Sequence, residues 1–172
     1  MKRTIWVIGT AMFLLVFLSG VTWAERLAVV DVDRILRESA PGKAAEAHLE
    51  QVRGILQKGM DEFRELYKGK EDTAEAQAEL RQAQAALERQ FAAERLAVQQ
   101  VLAPHLEKVV RAWFAANAQR TKAHAVVPAS ALFAYSPDMN ITDAIMGEMN
   151  KEKPTFPTLP SVTVQPNPQA TQ

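Results

Sequence analysis

The feature that most constrains the fold is the segment 42–122, which consists mostly of Ala, Glu, Gln, Leu, Arg and Lys. These residues have strong helix propensity, and their preferences add over a long window. The segment contains one proline, Pro104, and few β-branched residues before Val98. It therefore predicts long helices, with a kink near Gln100 because the ring of Pro104 meets the carbonyl group four residues before it.

Apolar residues in this segment recur at alternating steps of three and four, which is typical of a coiled-coil seam. The first stripe consists of Leu49, Val52, Leu56, Gly59, Phe63 and Leu66. The second consists of Ala76, Leu80, Ala83, Leu87, Phe91, Val98, Val101, Leu102, Leu106, Val109 and Trp113, and its phase drifts near Glu94. Alanines and a glycine at seam positions predict a thin core and low local stability.

A short polar interruption at residues 67–73 separates the two stripes. Gly69 suits the C-terminus of one helix, and Asp72 or Thr73 suits the N-cap of the next. Two long helices joined by a short turn run antiparallel, so residues 42–122 predict a helical-hairpin arm with its tip near residues 68–73. At 1.5 Å per residue, the outgoing helix is expected to project roughly 40 Å.

The segments that flank the arm predict a small β body. Residues 25–41 predict a first strand and a short helix. Residues 123–150 predict returning strands, at Ala125 to Val127 and Leu132 to Tyr135, and a terminal helix with Thr142 as its N-cap. About four short strands rarely stand alone, so we expect association through the body. The fold class is thus α+β, mainly α. The expected core of the body, or of a trimer formed through it, is Leu27, Val29, Val126, Val127, Ile141 and Ile145.

The two ends of the chain do not belong to this fold. Residues 1–24 combine a basic start, an apolar run of about 15 residues and a small residue at Ala24, which is typical of a cleaved secretory signal peptide. A retained membrane anchor is the alternative, although a spanning helix needs roughly 20 apolar residues. Residues 151–172 contain five prolines among polar residues and predict an extended, solvated, disordered tail.

Composition and motifs argue against several functions. The chain has no cysteine, which excludes disulfides and thiolate metal sites. It has 20 basic and 20 acidic residues, and loss of Lys2 and Arg3 with the signal peptide leaves 18 against 20, a net charge of −2, which argues against nucleic acid as a main partner. The histidines lack ligand spacing, and Asp33 is better explained as a helix cap than as part of a metal motif. We expect no catalytic residue, cofactor or metal.

Specific residues of the body carry a resemblance to a known family. They are LAVVDVDRIL at 27–36, HAVV at 124–127 with Tyr135, and DMNITDAIM at 138–146. These segments resemble the Skp/OmpH family of periplasmic outer-membrane-protein chaperones, and the resemblance extends over residues 26–150. It implies a homotrimer with a shared β core, whose arms surround a cavity that holds unfolded outer-membrane proteins without ATP. This chain differs in its somewhat shorter arms, its near-neutral charge and its added tail.

The resemblance leads to the hypothesis of an ATP-independent periplasmic holdase chaperone that also assists delivery of its clients to the outer membrane. Ile55, Met60 and Tyr67 lie beside the seam by spacing and are the candidate client-binding residues. Contact with the membrane or with lipopolysaccharide stays open. The alternative is a coiled-coil scaffold or adaptor of the envelope that binds one folded partner, for which a more regular seam would be expected.

Overall fold

The computed structural model describes residues 26–70 and 72–162, and the expected signal peptide lies outside them. The elements in chain order are β1 (Arg26–Val30), α1 (Val32–Glu38), α2 (Ala40–Leu66), α3 (Ala74–Thr121), β2 (Ala123–Pro128), two single 3-10 turns (Ala129–Ala131 and Pro137–Met139) and α4 (Thr142–Met149). The chain is mainly helical, with a long helical arm and a small strand body. The predicted α+β, mainly α, fold class is confirmed.

The sheet of the body has two parallel strands that lie on either side of the whole arm in sequence. Leu27 pairs with Ala125 and Val29 with Val127. Beyond them, a single bridge joins Val29 to Asn140. The expectation of about four strands, with one at residues 132–135, is wrong for the described chain. Pro128 ends β2 and the chain passes into a 3-10 turn, so the residues that follow leave the sheet instead of pairing with it.

Backbone hydrogen bonds to side chains join the end of β1 to the starts of both short helices. Asp31 caps α1, since its Oδ1 accepts from the backbone N–H of Arg34 at 2.9 Å, and the expectation that Asp33 would be the cap is wrong. Thr142 does not cap α4 either. Its Oγ1 accepts from the backbone N–H of Asp31 at 2.9 Å, while Asn140 Oδ1 accepts from the N–H of Thr142. Thr142 is buried and joins the two halves of the body.

The junction of α1 with α2 fixes the direction in which the arm leaves the body. Ser39 is fully buried and caps α2 by accepting from the backbone N–H of Gly42 at 3.1 Å. A Cβ atom on Gly42 would lie 1.9 Å from the carbonyl oxygen of Leu36, so only glycine fits here. Asn150 Oδ1 accepts from the N–H of Ala40 at 2.7 Å, which ties the end of α4 to the base of the arm.

The core lies where β1, α1 and α4 meet the base of the arm. Its buried members are Val30, Ile35, Ala45, Val98, Leu102, Val109, Ile145 and Met149. Of the residues expected in the body core, Val29 and Ile145 are buried, whereas Leu27, Val126, Val127 and Ile141 are half-buried. The half-buried strand residues leave apolar surface on the body of a single chain.

The arm is an antiparallel hairpin of α2 and α3 joined by the turn at residues 67–73. Thr73 caps α3 by accepting from the backbone N–H of Ala76 at 3.2 Å, and Gly69 takes a φ of +80°, which favours glycine. Helix α3 runs without interruption through Pro104. No residue of α3 between Ala76 and Val98 is buried, so the distal part of the seam is loosely packed.

The first part of the expected tail lies against the arm. Residues 151–162 form no helix or strand, as their prolines dictate. Leu159 is exposed, but the other apolar residues of the segment are half-buried: Pro154, Phe156, Pro157, Pro160 and Val162. The expectation of a solvated tail is therefore corrected for this segment, which we name the strap. Proline restricts the unfolded chain as well as the folded one, so an extended strap loses little entropy when it docks. Residues 163–172 lie outside the described part of the chain.

Candidate functional site

One side of the arm forms an apolar groove between α2 and α3. A cavity of about 350 Å³ occupies its distal part, and a second cavity of about 510 Å³ continues it toward the body. Both share Arg53 and Phe91. The distal cavity, which we name the open groove, is lined by Arg53, Leu56, Gln57, Met60, Arg64, Gln84, Leu87, Glu88 and Phe91.

The open groove has an apolar floor and a charged rim. Leu56, Met60 and Leu87 supply the floor. At the rim, the Arg53 guanidinium lies over the ring of Phe91, 5.3 Å from its centroid, and its Nη1 is 2.6 Å from Glu50 Oε2. An exposed cation–π contact contributes about 0.5–1 kcal/mol, so the rim can rearrange at little cost. Such a surface can cover an apolar segment and still keep its charges in water.

At the tip, Tyr67 is held by its own chain. Its hydroxyl donates to the carboxylate of Glu79 on α3, and its ring packs against Phe63 with centroids 5.2 Å apart. The hydrogen bond to Glu79, and secondly burial, raise the pKa of the Tyr67 hydroxyl. The Tyr67 side chain therefore fastens α2 to α3 next to the turn.

The three candidate client-binding residues do not meet in one place. Met60, 8% exposed, lines the open groove, while Tyr67 lies at the tip. Ile55 is half-buried and is seven residues from His48 and four from Gly59, a spacing that places the three on one side of α2. We name this side, His48, Ile55 and Gly59, the covered face, because the strap contacts it.

The strap contacts the covered face at two points. The ring of Phe156 stacks on His48 with centroids 5.6 Å apart and an interplanar angle of 28°. Farther along, a Cβ atom on Gly59 would lie 2.5 Å from Val162 Cγ1, so Val162 fits over α2 only because residue 59 has no side chain. The Nε2 atom of His48 is buried without a hydrogen-bond partner within the described chain, which is consistent with its cover by an apolar ring.

The first residues of the strap are anchored to α3 by charge. Lys108 Nζ donates to Glu152 Oε1 at 2.8 Å, and Glu152 Oε2 lies 2.6 Å from His105 Nδ1. The Glu152 side chain is only 16% exposed. The hydrogen bond from Lys108, and secondly the one with His105, lower the pKa of the Glu152 carboxyl.

The sequence did not predict the docking of the strap, nor that residues of α3 line the open groove. The signal for the strap was present in Phe156 and Val162, apolar residues that a solvated tail does not need. A further apolar surface lies on the body, where Phe133 is fully exposed and Tyr135 is 36% exposed. Both belong to the segment expected to form a strand.

Within residues 26–70 and 72–162, no group of three or more His, Asp or Glu side chains is arranged to hold a metal ion. None of the helices in this part of the chain combines the length and the apolar character needed to cross a membrane.

The family comparison agrees with the residues of the body. The family model described as Outer membrane protein (OmpH-like) matches residues 26–149, which include the strands, the arm and the terminal helix. No curated protein and no solved structure gives a significant match to the chain. The resemblance stated from the sequence is confirmed. The chain belongs to the OmpH-like outer membrane protein family.

Proposed function

We propose that the protein is an ATP-independent holdase chaperone of the periplasm. In this proposal a homotrimer binds unfolded outer-membrane proteins between its arms and assists their delivery to the outer membrane. Membership of the OmpH-like family supports a role in binding outer-membrane proteins and a location in the envelope. The observation that carries the proposal is the open groove, an apolar floor with a charged rim on a long projecting arm.

The groove suits clients that share chemistry but not sequence. Strands of an outer-membrane barrel alternate apolar and polar residues, so an unfolded client presents many short apolar segments of different shape. Met60 supplies a flexible thioether that adapts to such shapes. Arg53 lies over the ring of Phe91, and a client can take its place there. Because each contact is weak and replaceable, several grooves that act together supply the affinity.

The body supports association into a trimer. A sheet of two strands cannot bury both of its faces within one chain, and the fully exposed Phe133 lies beside it in sequence. Burying a phenylalanine side chain contributes about 1.5–3 kcal/mol. Three such surfaces brought together in one β core remove this apolar area from water.

The looseness of the distal arm favours a holdase over the adaptor. A scaffold that binds one folded partner gains from a rigid, regularly packed seam. Here α3 contributes no buried residue between Ala76 and Val98, so the distal arm can bend to fit clients of different size. An adaptor would be expected to have a large apolar residue at the position of Ala83.

The proposal is tested by light scattering while a urea-unfolded outer-membrane β-barrel is diluted into buffer that contains residues 25–172. We expect suppression of aggregation near one trimer per client without nucleotide. Leu87→Gln, in the floor of the groove, should weaken suppression. Leu96→Gln is the matched control, because Leu96 is on the same helix but is exposed and outside the groove.

Sedimentation of the same protein separates the two parts of the proposal. A trimer that fails to suppress aggregation would contradict the holdase function and favour the adaptor. A monomer at micromolar concentration would contradict the assembly.

A further inference from the structure

The strap follows α2 from the body toward the tip of the arm. Its contacts come in order: Glu152 at the base, Phe156 at His48, and Val162 at Gly59. From His48 to Gly59 the helix rises roughly 16 Å at 1.5 Å per residue. The six residue-to-residue steps from Phe156 to Val162 span roughly 19 Å as polyproline II at 3.1 Å per residue. The two lengths agree, so the strap lies extended along the helix.

Side chains alone hold the strap beyond its anchor. The last backbone hydrogen bond in this region is donated by the N–H of Glu152 to the carbonyl of Met149. Within the described part of the chain, no backbone hydrogen bond joins residues 153–162 to the arm. The segment can therefore detach from its Val162 end while the contact of Glu152 with Lys108 stays in place.

The strap has the chemistry of the proposed client. It is an extended chain in which apolar residues, half-buried except for Leu159, are interspersed with exposed polar ones such as Lys153, Thr155 and Ser161. An unfolded barrel strand is also extended and alternates apolar with polar residues. The covered face of α2 thus already binds a peptide of that class.

We propose that the strap is a built-in competitor: it occupies the covered face of α2, and an unfolded outer-membrane segment must displace it to bind there. This inference rests on the proposed holdase function. Because the strap belongs to the same chain, its effective concentration at the covered face is high. Only the fraction of molecules with a displaced strap offers the covered face, so the apparent affinity of that face for clients falls by that fraction, while the open groove stays accessible.

The absence of cysteine from the chain allows the strap to be locked and released in one protein. A Cβ on residue 59 would lie 3.0 Å from Val162 Cβ, near the roughly 3.8 Å of a disulfide. In Gly59→Cys with Val162→Cys, we expect the oxidised protein to bind a fluorescently labelled unfolded outer-membrane barrel about threefold or more weakly than the reduced protein. Anisotropy measures the affinity, and mass spectrometry measures the bond.

Two outcomes would overturn the inference. Equal affinities before and after reduction of a complete disulfide would show that the strap does not compete. Failure of the two cysteines to join would contradict the placement of Val162 over residue 59. If neither the locked, the released nor the unaltered protein binds the barrel, the holdase proposal itself fails, which is a different result.

A further variant, compared with a matched control, releases the strap without changing any residue of the strap. Gly59→Ala places a methyl group against Val162, whereas Gly54→Ala on the same helix meets nothing within 4 Å. We expect Gly59→Ala to bind the barrel about twofold or more tightly than the unaltered protein, and Gly54→Ala to bind as the unaltered protein does. Equal binding by both variants, with a change in the methyl NMR signals of Val162 showing that it has left residue 59, would also overturn the inference.

Discussion

The proximal and distal halves of the arm are built from the same two helices but differ in packing. Near the body, Ala45, Val98 and Leu102 belong to the buried core, and the strap covers one side of α2. Beyond residue 60 the helices meet through alanines and half-buried leucines, and Tyr67 with Glu79 fastens the tip. The comparison indicates a firm base that fixes the direction of the arm and an outer part that can adapt.

The largest expected effect is a difference between two leucines of α3. Leu102 is 6% exposed in the core, whereas Leu80 is half-buried in the distal seam. Leu102→Ala should lower the free energy of unfolding by about 2–4 kcal/mol, because it leaves a cavity. Leu80→Ala should cost about 1 kcal/mol or less, because the loose distal seam can close around it. Urea unfolding followed by circular dichroism measures both, and equal losses would contradict the division of the arm.

Two glycines of α2, Gly54 and Gly59, should show the next largest difference when each is replaced by alanine. Gly54→Ala should raise the free energy of unfolding by about 0.5–1 kcal/mol, because alanine has the higher helix propensity and its methyl group meets nothing. Gly59→Ala gains the same propensity but must push Val162 aside, so its net effect should be smaller than that of Gly54→Ala. An equal or larger gain for Gly59→Ala in the same unfolding experiment would show that Val162 does not pack there.

The smallest expected effect is on the anchor of the strap. The pKa of the Glu152 carboxyl is lowered by Lys108 and His105, so its contribution is complete above the usual carboxyl pKa of about 4.3. It is lost as the pH falls through the lower value of the folded protein. Trp113 lines a cavity with Glu152 and Lys108, and it is the only tryptophan after residue 24. Its fluorescence should therefore report the loss.

Glu152→Gln is the control for this titration. Glutamine keeps the size of the side chain but cannot ionise, so the change in Trp113 fluorescence at acid pH should disappear. If the fluorescence of the variant changes with pH as that of the unaltered protein does, the change does not arise from Glu152, and Glu148, which lines the same cavity, becomes the next residue to replace.

Local patterns in the sequence predicted the arm well and the contacts across the molecule less well. Helix propensity and the polar interruption at residues 67–73 were enough to identify the hairpin, because both are properties of neighbouring residues. The strand expected at residues 132–135 was wrong because pairing depends on which edges of the sheet are near, and periodicity carries no such information. The docking of Phe156 on His48 joins residues more than a hundred positions apart, and no spacing rule reports it.

Within the candidate site, spacing along one helix predicted only part of the groove. Ile55, Met60 and Tyr67 were selected because they lie beside the seam, and of the three only Met60 lines the open groove. Tyr67 bonds to Glu79 instead, because a hydroxyl that nears a carboxylate across the turn gains a charge-assisted hydrogen bond. Leu87 and Phe91 complete the groove from the second helix, and identifying them required the register of α2 against α3.

The most direct test of the account is hydrogen exchange of residues 25–172 alone and with an unfolded outer-membrane barrel bound. The account predicts rapid exchange of residues 77–97 in the free protein, and new protection at residues 53–64 and 84–91 when the client binds. Protection confined to the body, or a bound client that leaves the exchange of both arm helices unchanged, would contradict the claim that the arms hold the client.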